Sequence, residues 1–263
     1  MPDTLPPLTA DQIGVRAVRF PSGAPIPNIT DTSVDPYTPT RVSTGPLVEG
    51  LEFLPQTTER YPGLIILHEE WGLTSQIKDL ASRLAREGYT VLVPNLYARQ
   101  GGMVTANAEI AAALMERVKE AEMLQDLTTC CEFLNTQDRV QRGVHGVIGF
   151  GMGGTWAIRF ACHRKRLRAA VAFYGKMVGP PDLLKDLACP LLYHRAGADD
   201  RVTEEDVAQL GRCAKEFGKR VDILTYETAP HAFCNETLKD AYRPDAAAAA
   251  WRATAEFLTN CFK

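Results

Sequence analysis

The stretch Val144-His145-Gly146-Val147-Ile148-Gly149-Phe150-Gly151-Met152-Gly153-Gly154 decides how this chain folds. Its first half, Val144–Ile148, is a short apolar run of the kind carried by buried strands. Its second half packs four glycines into six residues, where a chain bending sharply from strand to helix needs small residues. Apolar residues at helical spacing follow directly over 154–163. Strand, tight turn and helix in immediate succession form the unit from which parallel sheets with crossover helices are built.

Working outward, five further apolar runs read as buried strands: Leu64–Leu67, Thr90–Val93, Ala169–Phe173, Leu191–His194 and Asp222–Thr225. Helical patterns fill the gaps over 74–87, 105–135, 203–217 and 245–260, and Thr203 with Asp206 makes a helix N-cap signature. This alternation predicts a single α/β domain over residues 46–263, with a mostly parallel central sheet and helices on both faces. Residues 1–45 are rich in proline, threonine and serine. They read as an N-terminal arm with one possible edge strand, Val15–Phe20, and no periodicity from Pro25 to Pro46.

Composition narrows the function classes. The 263 residues are 45% hydrophobic and 23% charged, enough for one large core. A net charge of −3, with no basic block interleaved with aromatics, argues against a nucleic-acid partner. The opening Met1–Pro7 lacks the charged and apolar regions of a secretory signal, and no apolar run approaches the roughly 18 residues that span a bilayer. Seven scattered cysteines fit a reduced, cytoplasmic protein, and the neighbours Cys130 and Cys131 read as core filling. The expected partner is a small molecule, with no membrane, no cofactor and no metal, for a monomer or small homo-oligomer.

In open parallel sheets, ligands sit beyond the carboxyl ends of the strands. There the sequence places His68-Glu69-Glu70-Trp71-Gly72, Pro94-Asn95-Leu96-Tyr97-Ala98-Arg99, the glycine turn, Gly197-Ala198-Asp199-Asp200 and Pro230-His231-Ala232-Phe233. An acid at one strand end and a histidine at the next suggest a base oriented by a carboxylate. Asp199 and His231, 32 positions apart, leave room for one helix and one strand between them, and Asp200 is the competing acid. Two other readings exist. Gly149, Gly151 and Gly154 satisfy the G-x-G-x-x-G dinucleotide pattern, but no ribose-binding acid follows about 20 residues on. His68, Glu69 and Glu70 carry metal-ligand chemistry, although consecutive residues rarely converge on one ion.

From about residue 60 onward the chain resembles the dienelactone hydrolase family of α/β-hydrolases, through the segments L-H-E-E-W-G, V-P-N-L-Y-A-R, G-F-G-M-G-G, G-A-D-D-R-V and P-H-A-F. The resemblance implies a carboxymethylenebutenolidase-like hydrolase acting on a lactone or ester of a small carboxylate-bearing substrate. By the same resemblance, Gly151 occupies the nucleophile position, Asp199 and His231 are the triad acid and histidine, and Glu69 is the glutamate that holds the resting nucleophile. The oxyanion-hole amides fall on Glu70 and Met152, the substrate-binding arginine falls on Arg99, and Trp71 and Tyr97 are candidate pocket walls. Two departures stand out: Gly151 has no side chain, and Ala232-Phe233-Cys234-Asn235 lacks the family's second carboxylate-binding arginine.

The glycine removes ordinary acyl-enzyme catalysis. Loss of a triad nucleophile elsewhere costs about 10⁶ in turnover, while binding and the oxyanion hole keep roughly 10³ to 10⁴ over water. Glycine also relieves the backbone strain of the turn, of order 1–3 kcal/mol for a residue with a Cβ. The expectation is therefore a hydrolase in which His231 activates water. The alternatives are a catalytically silent binding protein on a hydrolase fold, or an engineered nucleophile-minus variant.

Overall fold

The computed structural model describes residues 7–23, 46–177 and 179–263. In chain order its strands are β1 (Ile13–Pro21), β2 (Leu47–Pro55), β3 (Tyr61–Leu67), β4 (Thr90–Pro94), β5 (Val140–Phe150), β6 (Ala169–Phe173), β7 (Leu191–Ala196) and β8 (Val221–Tyr226). The helices are α1 (Ser75–Arg86), α2 (Ala108–Glu116), α3 (Glu120–Thr136), α4 (Met152–His163), α5 (Glu204–Glu216) and α6 (Pro244–Cys261). All eight strands form one sheet in the order β1-β2-β4-β3-β5-β6-β7-β8. β1 and β2 pair antiparallel with each other, and β2 with β4; every other pairing is parallel.

The inner stretches of the central strands, Leu64–Leu67 of β3 and Val147–Ile148 of β5, are apolar because both of their faces are covered. Ile65 and Leu67 of β3 and Val147 of β5 pack into a core with α3, α4 and α5. Their neighbours Leu64, Ile66 and Ile148 point the other way, into a core with α1 and α6. After β3 the chain moves outward to β4, then returns to lay β5 on the other side of β3. The ends of β3 and β5 thus diverge into helices on opposite faces, and a crevice opens between them.

One expectation needs adjustment, one strand was not foreseen, and the expected edge strand is present. The helical pattern over 105–135 is two helices, because their buried stripes are out of phase. Extending the turn of α3, which buries Met123, Leu127, Cys130, Cys131 and Leu134, would point Ala111 and Leu114 of α2 to the opposite side. The chain therefore breaks at 117–119. β2 carries Glu49, Gly50 and Glu52, so its apolar run is interrupted; Glu52 is buried in the sheet and salt-bridged to Arg16 of β1. β1 includes the expected Val15–Phe20 and joins the same sheet as the rest of the chain. Of the segment 25–46 read as an arm, all but Pro46 lies outside the described residues.

The glycines of the central turn serve close packing. A Cβ on Gly149 would lie 1.9 Å from the Gly153 carbonyl oxygen, and one on Gly153 would lie 2.2 Å from that of Leu67. One on Gly154 would meet the Phe173 carbonyl at 2.8 Å. The first turn of α4 thus sits directly on the ends of β3 and β6, which accounts for the G-x-G-x-x-G spacing without a nucleotide. Gly153→Ala is expected to destabilise the fold by about 1–3 kcal/mol or more, since backbone rather than a flexible side chain must move. Urea unfolding checks this; an unchanged midpoint would contradict the packing role.

Candidate active site

The glycine turn ends in a residue that is forced into an unusual conformation. Gly151 has φ 51° and ψ −115°, between the last residue of β5 and the first of α4. Its amide donates to the Phe173 carbonyl at 3.0 Å, and its carbonyl accepts from Thr155 at 3.1 Å. This is the strand-to-helix elbow that carries the nucleophile in α/β-hydrolases. Because Met152 opens α4, its amide lies among those a helix leaves without an internal partner, at the positive end of the helix dipole.

The β3 end supplies the opposite wall. His68 is fully buried; its Nε2 accepts from the Leu96 amide at 3.0 Å, so Nδ1 carries the proton and donates to the Glu69 carbonyl at 2.6 Å. Burial pushes its pKa down to about 4, keeping the ring neutral, and with both nitrogens engaged it is a latch on the chain. The Tyr97 hydroxyl donates to the Glu70 carbonyl at 3.0 Å. Between these two anchors the Glu70 peptide is held beside the elbow. Among the described residues, neither the Glu70 nor the Met152 amide donates to a protein acceptor.

His231 lies in the loop after β8. Its Nδ1 is 2.9 and 3.1 Å from the two carboxylate oxygens of Asp199. The carboxylate only accepts, so the proton sits on Nδ1 and the Nε2 lone pair faces outward. A Cβ built on Gly151 would lie 3.4 Å from His231 Nε2, 3.3 Å from Glu70 Oε2 and 3.8 Å from Glu69 Cγ. Burial alone would raise the Asp199 carboxyl, but hydrogen bonds from His231 and the amides of Arg201 and Val202 outweigh it and hold it below its ordinary value. Asp199, rather than Asp200, is the acid in contact with the histidine.

Glu69 is sealed beneath the elbow. Tyr174 OH donates to its Oε1 at 3.1 Å and Asn235 Nδ2 to its Oε2 at 2.8 Å. Burial first, and then the charge of Glu70, pushes its pKa up to about 7. Tyr174 also lies against the His231 ring, with centroids 4.9 Å apart. Tyr174 (φ 41°) and Ala232 (φ 61°) are both in the left-handed region despite their side chains. Such strain, about 1–3 kcal/mol each, persists where surrounding packing over-determines the backbone, commonly at functional sites.

These groups border a cavity of about 600 Å³. One side is apolar: Trp71, Trp156 and the Ala108, Ala111, Ala112 and Met115 face of α2. Three cations also line the cavity: Arg159, which lies over the Trp156 ring, Lys176, and Arg201, which is salt-bridged to Glu70 at the elbow.

Residues 48–262 match the model of the dienelactone hydrolase family. The chain belongs to the dienelactone hydrolase family. A candidate carboxymethylenebutenolidase of Methylorubrum extorquens is 30% identical over 203 residues, covering 73% of this chain and 69% of the relative. A candidate 2-oxo-3-(5-oxofuran-2-ylidene)propanoate lactonase of Bradyrhizobium is 29% identical over 214 residues, covering 78% and 86%. The fold is shared with a candidate dienelactone hydrolase from Klebsiella pneumoniae, with a TM-score of 0.78 at 24% identity over 94% of this chain and 99% of that one. It is also shared with a dienelactone hydrolase-like promiscuous phosphotriesterase from metagenomic libraries, with a TM-score of 0.80 at 18% identity over 96% and 100%.

Within this dienelactone hydrolase fold, Gly151, Met152, Glu70, Trp71 and His231 line the cavity, with Glu69 and Asp199 directly behind. Two expected substrate contacts are placed otherwise. Tyr97 is buried beneath the site, anchoring Glu70. Arg99 points away, making a two-pronged pair with Asp126 at 2.8 and 2.7 Å and a hydrogen bond to Ser22. The short helical turn Ala98–Gln100 directs it onto α3 instead. Sequence reasoning did not single out Tyr174, Asn235, Lys176 and Arg201. Tyr174 and Lys176 directly follow β6, so the strand-end rule covers both; Arg201 stood inside the quoted G-A-D-D-R-V.

Two outcomes follow. In the folded protein Glu69 keeps its proton up to about pH 7, against 4.5 when unperturbed, so its contribution to stability falls as pH rises between those values. Glu69→Gln should remove that slope and be the more stable chain above pH 7, by of order 1–3 kcal/mol. The buried His68, His145 and His194, pushed by burial down to about 4, 4 and 3, act oppositely but alike in both chains. Urea titrations at pH 5 and 8 measure the difference; equal slopes would contradict it. Arg99→Ala should cost about 1–3 kcal/mol of stability while leaving KM unchanged, and a raised KM would return it to the substrate site.

Proposed function

We propose that this chain hydrolyses a lactone or ester bond of a small carboxylate-bearing substrate, with His231 activating water where the family's nucleophile would stand. One observation carries the reading: the His231 lone pair, backed by Asp199, is aimed at the point from which a residue 151 side chain would project. The dienelactone hydrolase membership supports the reaction class, and the candidate lactonase from Bradyrhizobium supports a lactone.

The chemistry is a single displacement. The water oxygen bonds to the substrate carbonyl carbon as its proton passes to His231 Nε2. The negative charge that develops on the carbonyl oxygen is met by the Glu70 and Met152 amides. Collapse breaks the carbon–oxygen bond to the leaving alkoxide, which takes the proton from His231. The products are an acid and an alcohol, or one hydroxy acid from a lactone. The substrate carboxylate would face Lys176 and the outer edge of Arg201, and its carbon skeleton the tryptophan and α2 wall.

Initial rates on 4-nitrophenyl acetate and dihydrocoumarin test this. His231→Ala should fall to the buffer rate, and Gly151→Cys or Gly151→Ser should gain about 10²-fold or more by restoring a covalent route. Turnover by the parent chain that survives His231→Ala would sink the proposal. Inertness of the parent chain and both nucleophile variants, with ligands still retained in the cavity, would favour the silent binding protein.

A further inference from the structure

A triad nucleophile does two jobs: it attacks, and it is held in line with the carbonyl by the backbone that carries it. If water attacks instead, His231 can remove its proton but cannot alone fix its direction, because one hydrogen bond leaves the water free to rotate about it. A second acceptor on the far side of the elbow would remove that freedom. Glu70 is placed to be it.

Four observations converge on Glu70. Its Oε2 stands 3.3 Å from the Cβ position of residue 151, on a par with His231 Nε2 at 3.4 Å, so both groups flank the same point. Its other oxygen, Oε1, is salt-bridged to Arg201, which sets the rotamer; among the described residues Oε2 has no hydrogen-bond partner. The side chain is 10% exposed and lines the cavity, so this oxygen is directed into the site rather than into solvent. Its backbone is pinned through Tyr97 and the neighbouring His68 latch. The adjacent Glu69 cannot serve the same purpose, because Tyr174 and Asn235 occupy its two oxygens.

We propose that Glu70, held by Arg201, is the second acceptor for the attacking water, taking over the orienting role that a side chain at position 151 would have had. This rests on the water-hydrolysis reading above. The water donates one hydrogen to Glu70 Oε2 and the other to His231 Nε2, leaving an oxygen lone pair for the substrate carbonyl. Glu70 neither gains nor loses a proton over the cycle. The same residue then supplies a backbone amide to the oxyanion and a side-chain carboxylate to the water, so that the carbonyl group and the water attacking it are both positioned from one residue.

The test uses the full chain with 4-nitrophenyl acetate and dihydrocoumarin, neutral probes that make no demand on Arg201 as an anion site. Glu70→Gln and Glu70→Ala are expected to lower kcat by about 10²-fold with little change in KM, the cost of a misplaced reactant. Arg201→Ala should also lower kcat, because Glu70 is then free to swing out. Sodium formate should restore part of the rate in Glu70→Ala, and sodium chloride at equal ionic strength should not. Unchanged kcat in both Glu70 variants, with His231→Ala inactive, overturns the role of Glu70 while leaving the water mechanism standing. A loss in Glu70→Ala that formate does not restore places the defect in the Glu70 amide and also overturns it. Absence of His231-dependent turnover in the parent chain removes the water mechanism itself, and this inference with it.

Discussion

Where the first turn of α4 meets the ends of β3 and β6, the backbones approach so closely that no side chain fits between them. The Leu67 carbonyl lies 2.2 Å from where a Gly153 Cβ would be, and the Phe173 carbonyl 2.8 Å from that of Gly154. The contact brings three chain segments, distant in sequence, to one point. The β3 end contributes Glu69 and Glu70, the elbow contributes Gly151 and the Met152 amide, and the β6 end contributes Tyr174. The β7 and β8 loops then need only deliver Asp199 and His231 to a place already defined. Widening the crossing by one methyl group would shift the elbow relative to the Glu70 peptide, and the two amides would no longer converge.

Around that crossing, two consecutive glutamates are given different surroundings. Glu69 is enclosed by Tyr174 and Asn235, and burial followed by its neighbour's charge raises its pKa to about 7. Glu70 reaches the cavity and meets Arg201. Adjacent carboxylates repel, and the fold accommodates them by letting one retain its proton near neutrality and giving the other a cation. A turn at the end of a strand allows this, because successive residues point in opposite directions, one inward and one towards the cleft.

Gly151 sits where these arrangements intersect. Its φ of 51° and ψ of −115° suit a residue without a Cβ, so the elbow keeps its shape with less strain than a cysteine or serine would impose. The absent side chain leaves no nucleophile at this position, while His231, the Glu70 and Met152 peptides and the cavity remain grouped around it. On the water mechanism proposed above, orienting the attacking water falls on groups that a covalent route would not need for it.

The strand–turn–helix unit at 144–163, the alternation of buried strands with helices and the order of acid and histidine were all legible in the sequence, because each rests on local periodicity or on chain order. The strand-end rule located Glu69, Glu70, Asp199 and His231 for the same reason. What escaped depends on contacts between distant segments. β2 was hidden because Glu52 is buried against Arg16, a partner 36 residues away. The break between α2 and α3 reflects which face each helix buries, which no run of apolar residues announces. Arg99 occupies a strand end, but Asp126 of α3 draws it away; Arg201, in a motif read for its aspartate, reaches the cavity instead. Sequence alone determined the architecture and the identity of the chemical groups, since hydrophobic period and turn chemistry are local. The tertiary structure alone decided which charges face the cavity and that a carboxylate flanks the empty elbow, since ion pairs form between side chains the sequence keeps far apart.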